Sequence, residues 1–286
     1  MGVNIREARP PDAEATGRII YEAFKGVAEF HGFPPDFPHV GVATQLVASF
    51  ITHPSIFGVV AEDDAGRVLG SNFLSEIDTI RGVGPITVDP SAQGGGVGRR
   101  LMQAVLDRGR EAAGIRLVQD AFNMRSLSLY QSMGFEVREP LLVMNGRPRS
   151  KSAKNATIRR LNEQDVPACD ALYVNVHGVS RSGEIRDALR FFAPVLVERA
   201  GRVTGYMTAP TFWIANHGVA ETADDMKALM LGGDNEEPLS FLLPTRQTEF
   251  FRWCLAEGIR AIKPMSLMTM GEYHPPKGSY LPSVFY

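Results

Sequence analysis

Between Ile86 and Leu101 the chain reads Ile86-Thr-Val-Asp-Pro-Ser-Ala-Gln-Gly-Gly-Gly-Val-Gly-Arg-Arg-Leu101, with four glycines in five positions. The spacing predicts a strand, a sharp turn and then a helix. Glycines turn the backbone through φ > 0 and bring its N–H groups close to a ligand that a Cβ would hold away. The helix that follows offers unpaired N–H groups and the positive end of its dipole at the same point. Such a corner binds phosphate, and Arg99 and Arg100 add positive charge beside it. A phosphorylated ligand is expected.

Spacing narrows the choice of ligand. A P-loop requires G-x-x-x-x-G-K-[ST], and no Lys-Ser or Lys-Thr follows these glycines. A dinucleotide fingerprint requires G-x-G-x-x-G, and counting from Gly94 or Gly96 puts Arg99 or Leu101 at the third glycine. Asp120 stands where the ribose-binding acid of that fingerprint would lie, so the dinucleotide reading is weakened but stays open.

Gln93-Gly94-Gly95-Gly96-Val97-Gly98 resembles the Q/R-x-x-G-x-G/A motif of the GNAT acetyltransferase superfamily. Asn123-Met-Arg-Ser-Leu-Ser-Leu-Tyr-Gln-Ser-Met-Gly-Phe135 resembles its second motif, with Ser126 at the position usually held by Ala. The resemblance covers the first half of the chain well and the second only in outline. It implies acetyl-coenzyme A as cofactor, with roles for each residue. The strand Ile86, Thr87, Val88 splays from its neighbour, pairs with the pantetheine arm and polarises the acetyl carbonyl. Gln93, Gly94, Gly95, Gly96, Val97, Gly98, Arg99 and Arg100 hold the pyrophosphate. Asn123 and Ser126 lie beside the pantetheine, and Tyr130 gives a proton to the departing thiolate. Glu76 and Asp78 are the general-base candidates; as plain turn carboxylates they would leave deprotonation to an ordered water chain. Gly82 stands where some members of the superfamily place a base.

At 286 residues, 44% hydrophobic and 22% charged, the chain is expected to be a soluble globular protein of one large domain or two. A net charge of −2 gives no global pull toward nucleic acid or membrane. Cys169 and Cys254 form no C-x-x-C, which points to a reducing compartment, expected to be the cytoplasm. The start Met-Gly-Val-Asn-Ile-Arg-Glu is no apolar signal segment, Arg6 breaks the myristoylation pattern, and no run reaches membrane-spanning length. His31 and His39 have no third ligand at metal-binding spacing, so no metal is expected.

The expected fold class is α/β, with mixed, mostly antiparallel twisted sheets flanked by helices. The first half reads β-α-α-β-β-β-α-β-α-β-β and is expected to close with a hairpin ending at Met144. The second half then repeats the first. Ile5-Arg6 with Asp12 recurs as Ile158-Arg159 with Asp165, Gly66-Arg-Val-Leu-Gly70 as Gly201-Arg-Val-Thr-Gly205, and Leu129-Tyr-Gln-Ser-Met-Gly134 as Trp253-Cys-Leu-Ala-Glu-Gly258. Two tandem copies are therefore expected: a catalytic domain at 1–146, a basic linker at 147–156 and a degenerate domain at 157–286. Asn155-Ala-Thr157 is a glycosylation sequon that matters only in a secreted protein.

The second copy lacks the chemistry. Where glycines should turn, it carries Glu221, Asp224 and Asp225. At ~4 Å and an effective dielectric of ~20, each carboxylate facing a phosphate charge costs roughly 4 kcal/mol before screening. Cys254 replaces the tyrosine. The second copy is expected to bind no coenzyme A. It would serve instead by burying surface against the first domain, covering the acceptor cleft or forming a subunit interface in a homodimer.

Phe30, His31, Phe33 and Phe37 form either an aromatic lip for the acceptor or a loop anchored on the core. The hairpin near Leu141 to Asn145 is expected to share in acceptor choice. Met265, Met268 and Met270 read as core positions of a strand, and the apolar tail from Tyr280 to Tyr286 should pack against a domain. The expected function is transfer of acetyl from acetyl-coenzyme A to a primary amine, on a small molecule or peptide, by direct attack in a ternary complex. A non-catalytic acyl-coenzyme A-binding regulator is the alternative, and a dinucleotide-dependent oxidoreductase a third reading.

Overall fold

The structure is a computed structural model that describes residues 2–151, 156–232 and 237–285. Asn155 of the sequon and the neighbouring part of the linker lie outside the described residues, as does Tyr286. In chain order the elements are β1 (Val3–Glu7), α1 (Ala13–Phe30), α2 (Val40–Thr52), β2 (Ile56–Asp63), β3 (Val68–Ser75), β4 (Ile80–Val83), β5 (Thr87–Val88), α3 (Val97–Arg108), β6 (Gly114–Asp120), α4 (Met124–Ser132) and β7 (Glu136–Gly146). Then follow β8 (Thr157–Arg160), α5 (Val166–His177), α6 (Ser182–Phe191), β9 (Val195–Arg199), β10 (Arg202–Met207), β11 (Gly218–Ala220), α7 (Ala223–Gly232), β12 (Leu239–Pro244), α8 (Thr248–Ala256), β13 (Arg260–Gly271) and β14 (Ser279–Leu281). This is the mixed α/β class with largely antiparallel pairing that the sequence predicts.

By its contacts the chain divides into two compact units, one of Met1–Ile77 with Arg81–Ile115, the other of Asp78–Ile80 with Arg116–Tyr286. In the first unit β1, β2 and β3 run antiparallel, and β3 pairs with both β4 and β5. Ile19, Ile20, Val47, Phe50, Val60, Phe73, Leu101 and Met102 are buried, which removes the apolar stripes of α1, α2 and α3 from water. Gly17 is where α1 crosses α2. A Cβ there would come within 2.5 Å of the Thr44 Cα, so the crossing needs a glycine.

The second unit holds two sheets, β6-β13-β7-β12 and β14-β11-β10-β9-β8. Strands from the two halves of the sequence interleave in the first of them. β7 pairs antiparallel with β13 on one edge, Leu141 opposite Met265, and with β12 on the other, Leu142 opposite Leu243. Alternate side chains of β7 therefore enter two cores: Leu141 and Val143 join Tyr173, Leu242 and Leu267, while Met144 joins Phe241, Leu243 and Phe250.

The interleaving corrects the expected hairpin. Residues 136–146 form a single strand, and both of its edges are filled by strands from beyond residue 238, so no return strand forms. For the same reason Leu141 to Asn145 is no mouth of a cleft, since Leu141, Val143 and Met144 are buried. On β13 a shift of register between Leu267 and Met268 turns both inward, so Met265 and Met268 are core residues despite their odd spacing. Tyr280 and Leu281 are buried in β14, as expected of the tail.

The sequence repeat has a structural counterpart. Arg6 makes two 2.8 Å bonds to Asp12 and one of 2.7 Å to Glu62. Arg159 makes bonds of 2.7 and 2.8 Å to Asp165 and one of 2.6 Å to Glu198. These guanidiniums hold the Asp12 and Asp165 carboxyls below the usual range.

Asp120 on β6 and Lys263 on β13 form a buried pair at 2.7 Å. Lys263→Met would strand the Asp120 carboxylate without that ammonium. We expect a loss of about 3–5 kcal/mol in urea unfolding, and a smaller loss when Asp120→Asn is added to the same chain.

Candidate active site

The glycine turn is built by the strand before it and the helix after it. β5 is two residues long, with Thr87 opposite Ser71 and Val88 opposite Gly70. Ile86 lies in the bend between β4 and β5, not within the strand as expected. The Asp89 carboxylate accepts from the Ser91 N–H at 2.9 Å and the Ser91 hydroxyl at 2.6 Å, bonds that hold it below the usual carboxylate range. Gln93 folds back and donates to the Val88 carbonyl at 3.2 Å. Gly94 and Gly96 have φ of 92° and 80°, and Gly96 is the N-cap of α3, which no side chain caps.

Packing does not explain Gly95 or Gly96. An added Cβ would meet nothing within 4 Å at Gly96 and nothing nearer than 3.8 Å at Gly95. Gln93, Gly94, Gly95, Gly96, Arg99 and Arg100 are exposed, Gly98 is half-buried, and Val97 is buried and anchors the helix start. The result is an open backbone corner at a helix N-terminus flanked by two arginines, which suits a pyrophosphate. The dinucleotide reading loses its acid, because Asp120 is buried in the pair with Lys263.

In the second unit Asn123 is the N-cap of α4, and its side-chain oxygen accepts from the Ser126 N–H at 3.2 Å. Tyr130, two residues before the end of α4, is buried with its ring edge-on to Phe135 at 6.2 Å. Burial pushes its phenol up to about 12, against a smaller opposing pull from the Ser126 hydroxyl. At neutral pH the group is therefore a protonated donor. Ser126 serves both neighbours, a use that its departure from the usual Ala signalled only as a difference.

Glu76 and Asp78 do not stand together. Glu76 pairs with Arg108 at 2.9 Å in the first unit. Asp78 lies in the second, where it accepts from the Gly183 and Glu184 N–H groups at 2.9 and 3.0 Å and caps α6. Burial raises its carboxyl above the usual range, and those two bonds offset part of the rise.

The aromatic loop divides its work. Phe37 is buried edge-on to Phe24 at 5.9 Å and anchors the loop, while Phe33 is half-buried. Phe30 is 84% exposed and meets the exposed His31 edge-on at 5.0 Å.

The acidic residues expected to repel a phosphate serve the fold instead. Glu221 pairs with Arg202, Asp225 with Arg199, and Asp224 with Lys227 at 2.8 Å. Cys254 is fully buried, and burial pushes its thiol up to about 12. Sequence reasoning missed one polar cluster altogether. His217 bonds the Tyr206 hydroxyl at 2.8 Å and Glu184 at 3.1 Å, and Arg181 pairs with Glu184. Burial alone would raise the Glu184 carboxyl, but Arg181 and His217 outweigh it and hold it at about 2. Its members come from α6, β10 and a loop far apart in the chain, so no spacing announces them.

Residues 21–135 match the acetyltransferase (GNAT) family model. The IAA acetyltransferase of Azospirillum brasilense is 33% identical over 143 residues, 48% of this chain and 88% of that protein. The mycothiol acetyltransferase of Beutenbergia cavernae is 36% identical over 85 residues, 29% of this chain; the match spans only 29% of that relative's length. Among solved structures, a protein from Pyrococcus horikoshii assigned as an acetyltransferase superposes with a TM-score of 0.78 at 15% identity, covering 100% of this chain and 95% of its own. A GCN5-related N-acetyltransferase from Sphaerobacter thermophilus gives 0.61 at 18% identity, covering 96% of this chain and 98% of its own. The chain belongs to the GNAT family, whose members are acetyl-transferring enzymes that take acetyl-coenzyme A as donor.

Proposed function

We propose that this chain transfers the acetyl group of acetyl-coenzyme A to a primary amine, on a small molecule or peptide, by direct attack in a ternary complex. We also propose the tandem organisation, with a catalytic copy at 1–146, a linker at 147–156 and a degenerate copy at 157–286. The observation that carries the reading is the uncapped start of α3 behind glycines that packing does not require.

Acetyl-coenzyme A supplies a thioester whose carbonyl an amine can attack. The N–H groups from Gln93 to Gly98, with Arg99 and Arg100, hold its pyrophosphate. The backbone of Ile86, Thr87 and Val88 aligns and polarises the acyl arm, and Asn123 and Ser126 flank it. As the carbon–nitrogen bond forms and the carbon–sulfur bond breaks, the buried Tyr130 phenol gives its proton to the thiolate and regains one from solvent. The amine's own proton leaves to Glu76, to Asp78 or to an ordered water; Arg108 and the α6 N–H groups already engage the two carboxylates, which favours water. Phe30 and His31 are the exposed aromatic surface offered to an acceptor. The two curated relatives are named for unlike compounds, so neither name is carried over.

Nucleic acid and membrane are not proposed as partners, and no helix among the described residues is long and apolar enough to cross a membrane. Both cysteines are buried and unpaired, which accords with a reducing compartment, and we place the chain in the cytoplasm. A homodimer through the second copy is the assembly we propose.

Gly96→Glu tests the loop. The new side chain enters open space but must adopt a φ of 80°, at a folding cost of about 1–2 kcal/mol. It also brings a carboxylate to the phosphate. We expect the variant to fold and to bind acetyl-coenzyme A roughly 10–100-fold more weakly in calorimetry. Unchanged affinity in a folded variant would refute the assignment.

A further inference from the structure

The strand β14 pairs with β11 and is held by the side chain that opens α8. α4 and α8 are both nine-residue helices, with Asn123 and Gln247 at their N-caps, and the same closing turn follows each. Phe135 N–H bonds the Tyr130 carbonyl and Ile259 N–H bonds the Cys254 carbonyl, at 3.1 and 2.9 Å, around positive-φ glycines at 134 and 258. Gln247 thus occupies the position of Asn123.

The two side chains behave differently. Asn123 caps its own helix, whereas Gln247 makes no such bond and turns to β14. Its Nε2 donates to the Tyr280 carbonyl at 2.6 Å. Its Oε1 accepts from the Tyr280 N–H at 3.3 Å and from the Ser279 hydroxyl at 2.9 Å. A side-chain amide that accepts from the N–H and donates to the carbonyl of one residue recognises the –NH–Cα–CO– span between two peptide groups of an extended chain, and the –NH–CH2–CH2–CO– span of pantetheine offers the same donor and acceptor one methylene further apart.

The rest of β14 is held in the same manner. It pairs antiparallel with β11, the strand that leads into α7 as β5 leads into α3, with Tyr280 opposite Val219. β12, the next strand after α7, belongs to the other sheet, and among the described residues the edge of β11 opposite β10 is filled by β14. Arg246 reaches the Tyr280 hydroxyl and the Pro276 carbonyl at 3.2 Å each, and Arg181 donates to the Ser283 hydroxyl at 2.9 Å. Ser279, Tyr280, Leu281 and Ser283 are all buried.

We propose that the second copy retains the donor groove of the fold as a clamp for an extended amide chain, and that its occupant is the protein's own strand Ser279–Leu281. Coenzyme A is then excluded from this copy by self-occupation as well as by acidic charge. The inference rests on the tandem reading and on the pantetheine role proposed above. A strand that merely covers a sheet edge would protect β11 equally well, so the test must ask whether the groove accepts pantetheine.

Hydrogen exchange of the full-length chain supplies the test, with phosphate-free pantetheine at millimolar concentration as probe. In Gln247→Ala, which removes only the grip, amides 279–281 should exchange at least about tenfold faster than in the parent. Pantetheine should then slow exchange in β11 of the variant while leaving β11 of the parent unchanged. Adenosine 3′,5′-bisphosphate should protect β11 in neither. Tyr280→Asp, which expels the strand by burying a charge, should show the same pantetheine response. The proposal is overturned by unchanged exchange at 279–281 in Gln247→Ala, or by faster exchange there with no protection of β11 by pantetheine in either variant. Protection of residues 94–101 of the parent by acetyl-coenzyme A is read in the same experiment. Its loss marks failure of the first-copy reading, separately from the groove.

Discussion

A chain ending at Arg149 is expected to emerge unfolded or aggregated, with no cooperative thermal transition and no acetyl transfer. The linker position makes residues 1–149 look like a separate catalytic domain. The strand order forbids it, because β7 has β13 on one edge and β12 on the other and both would be gone. Leu141, Val143 and Met144 would return to water at about 2 kcal/mol each, a loss of the same order as the ~5–15 kcal/mol that holds a typical domain together. The buried Asp120 would also lose Lys263. Circular dichroism and a melting scan of the truncated chain decide the matter. A soluble product with a sharp melt and measurable turnover would show that residues 1–149 pair their strands differently when alone.

Tyr130→Phe should lower turnover by about 10²–10⁴-fold while acetyl-coenzyme A affinity changes by less than about threefold. The phenol is buried, protonated well past neutrality and bonded to the Ser126 hydroxyl, so it is a donor and not a base. Removing one oxygen leaves the ring against Phe135, and the fold should hold. Rates should be measured on the best amine found in a screen, with single-turnover kinetics to expose the chemical step if product release is limiting. Equal single-turnover rates in parent and variant would reduce Tyr130 to a packing residue.

The features that local chemistry decides were legible in the residues themselves. Four glycines ahead of a helix can do little else than turn and offer N–H groups, and Gly94 and Gly96 have the positive φ this requires. The Arg6–Asp12 spacing and its recurrence at Arg159–Asp165 were legible as a repeat, and the structure makes each an ion pair. Long-range pairing was not legible. Alternation on β7 and β13 marks each as a strand but carries nothing about which neighbour it takes, so a hairpin seemed the natural end of the first copy. Burial of the aromatic loop was ambiguous for a related reason, since Phe30 and Phe37 are the same residue type and only the packing of Phe24 separates anchor from exposed surface. The amide grip of Gln247 on Tyr280 joins positions 33 residues apart and had no motif to announce it.

The most direct test of the central claim is a calorimetric titration of the intact chain with acetyl-coenzyme A, repeated on Gly96→Glu. One molecule should bind per chain at the glycine turn before α3, and the variant should bind it about 10–100-fold more weakly while still melting cooperatively. A stoichiometry near two, or binding that survives Gly96→Glu unchanged, would contradict a single donor site built on the glycines from Gly94 to Gly98.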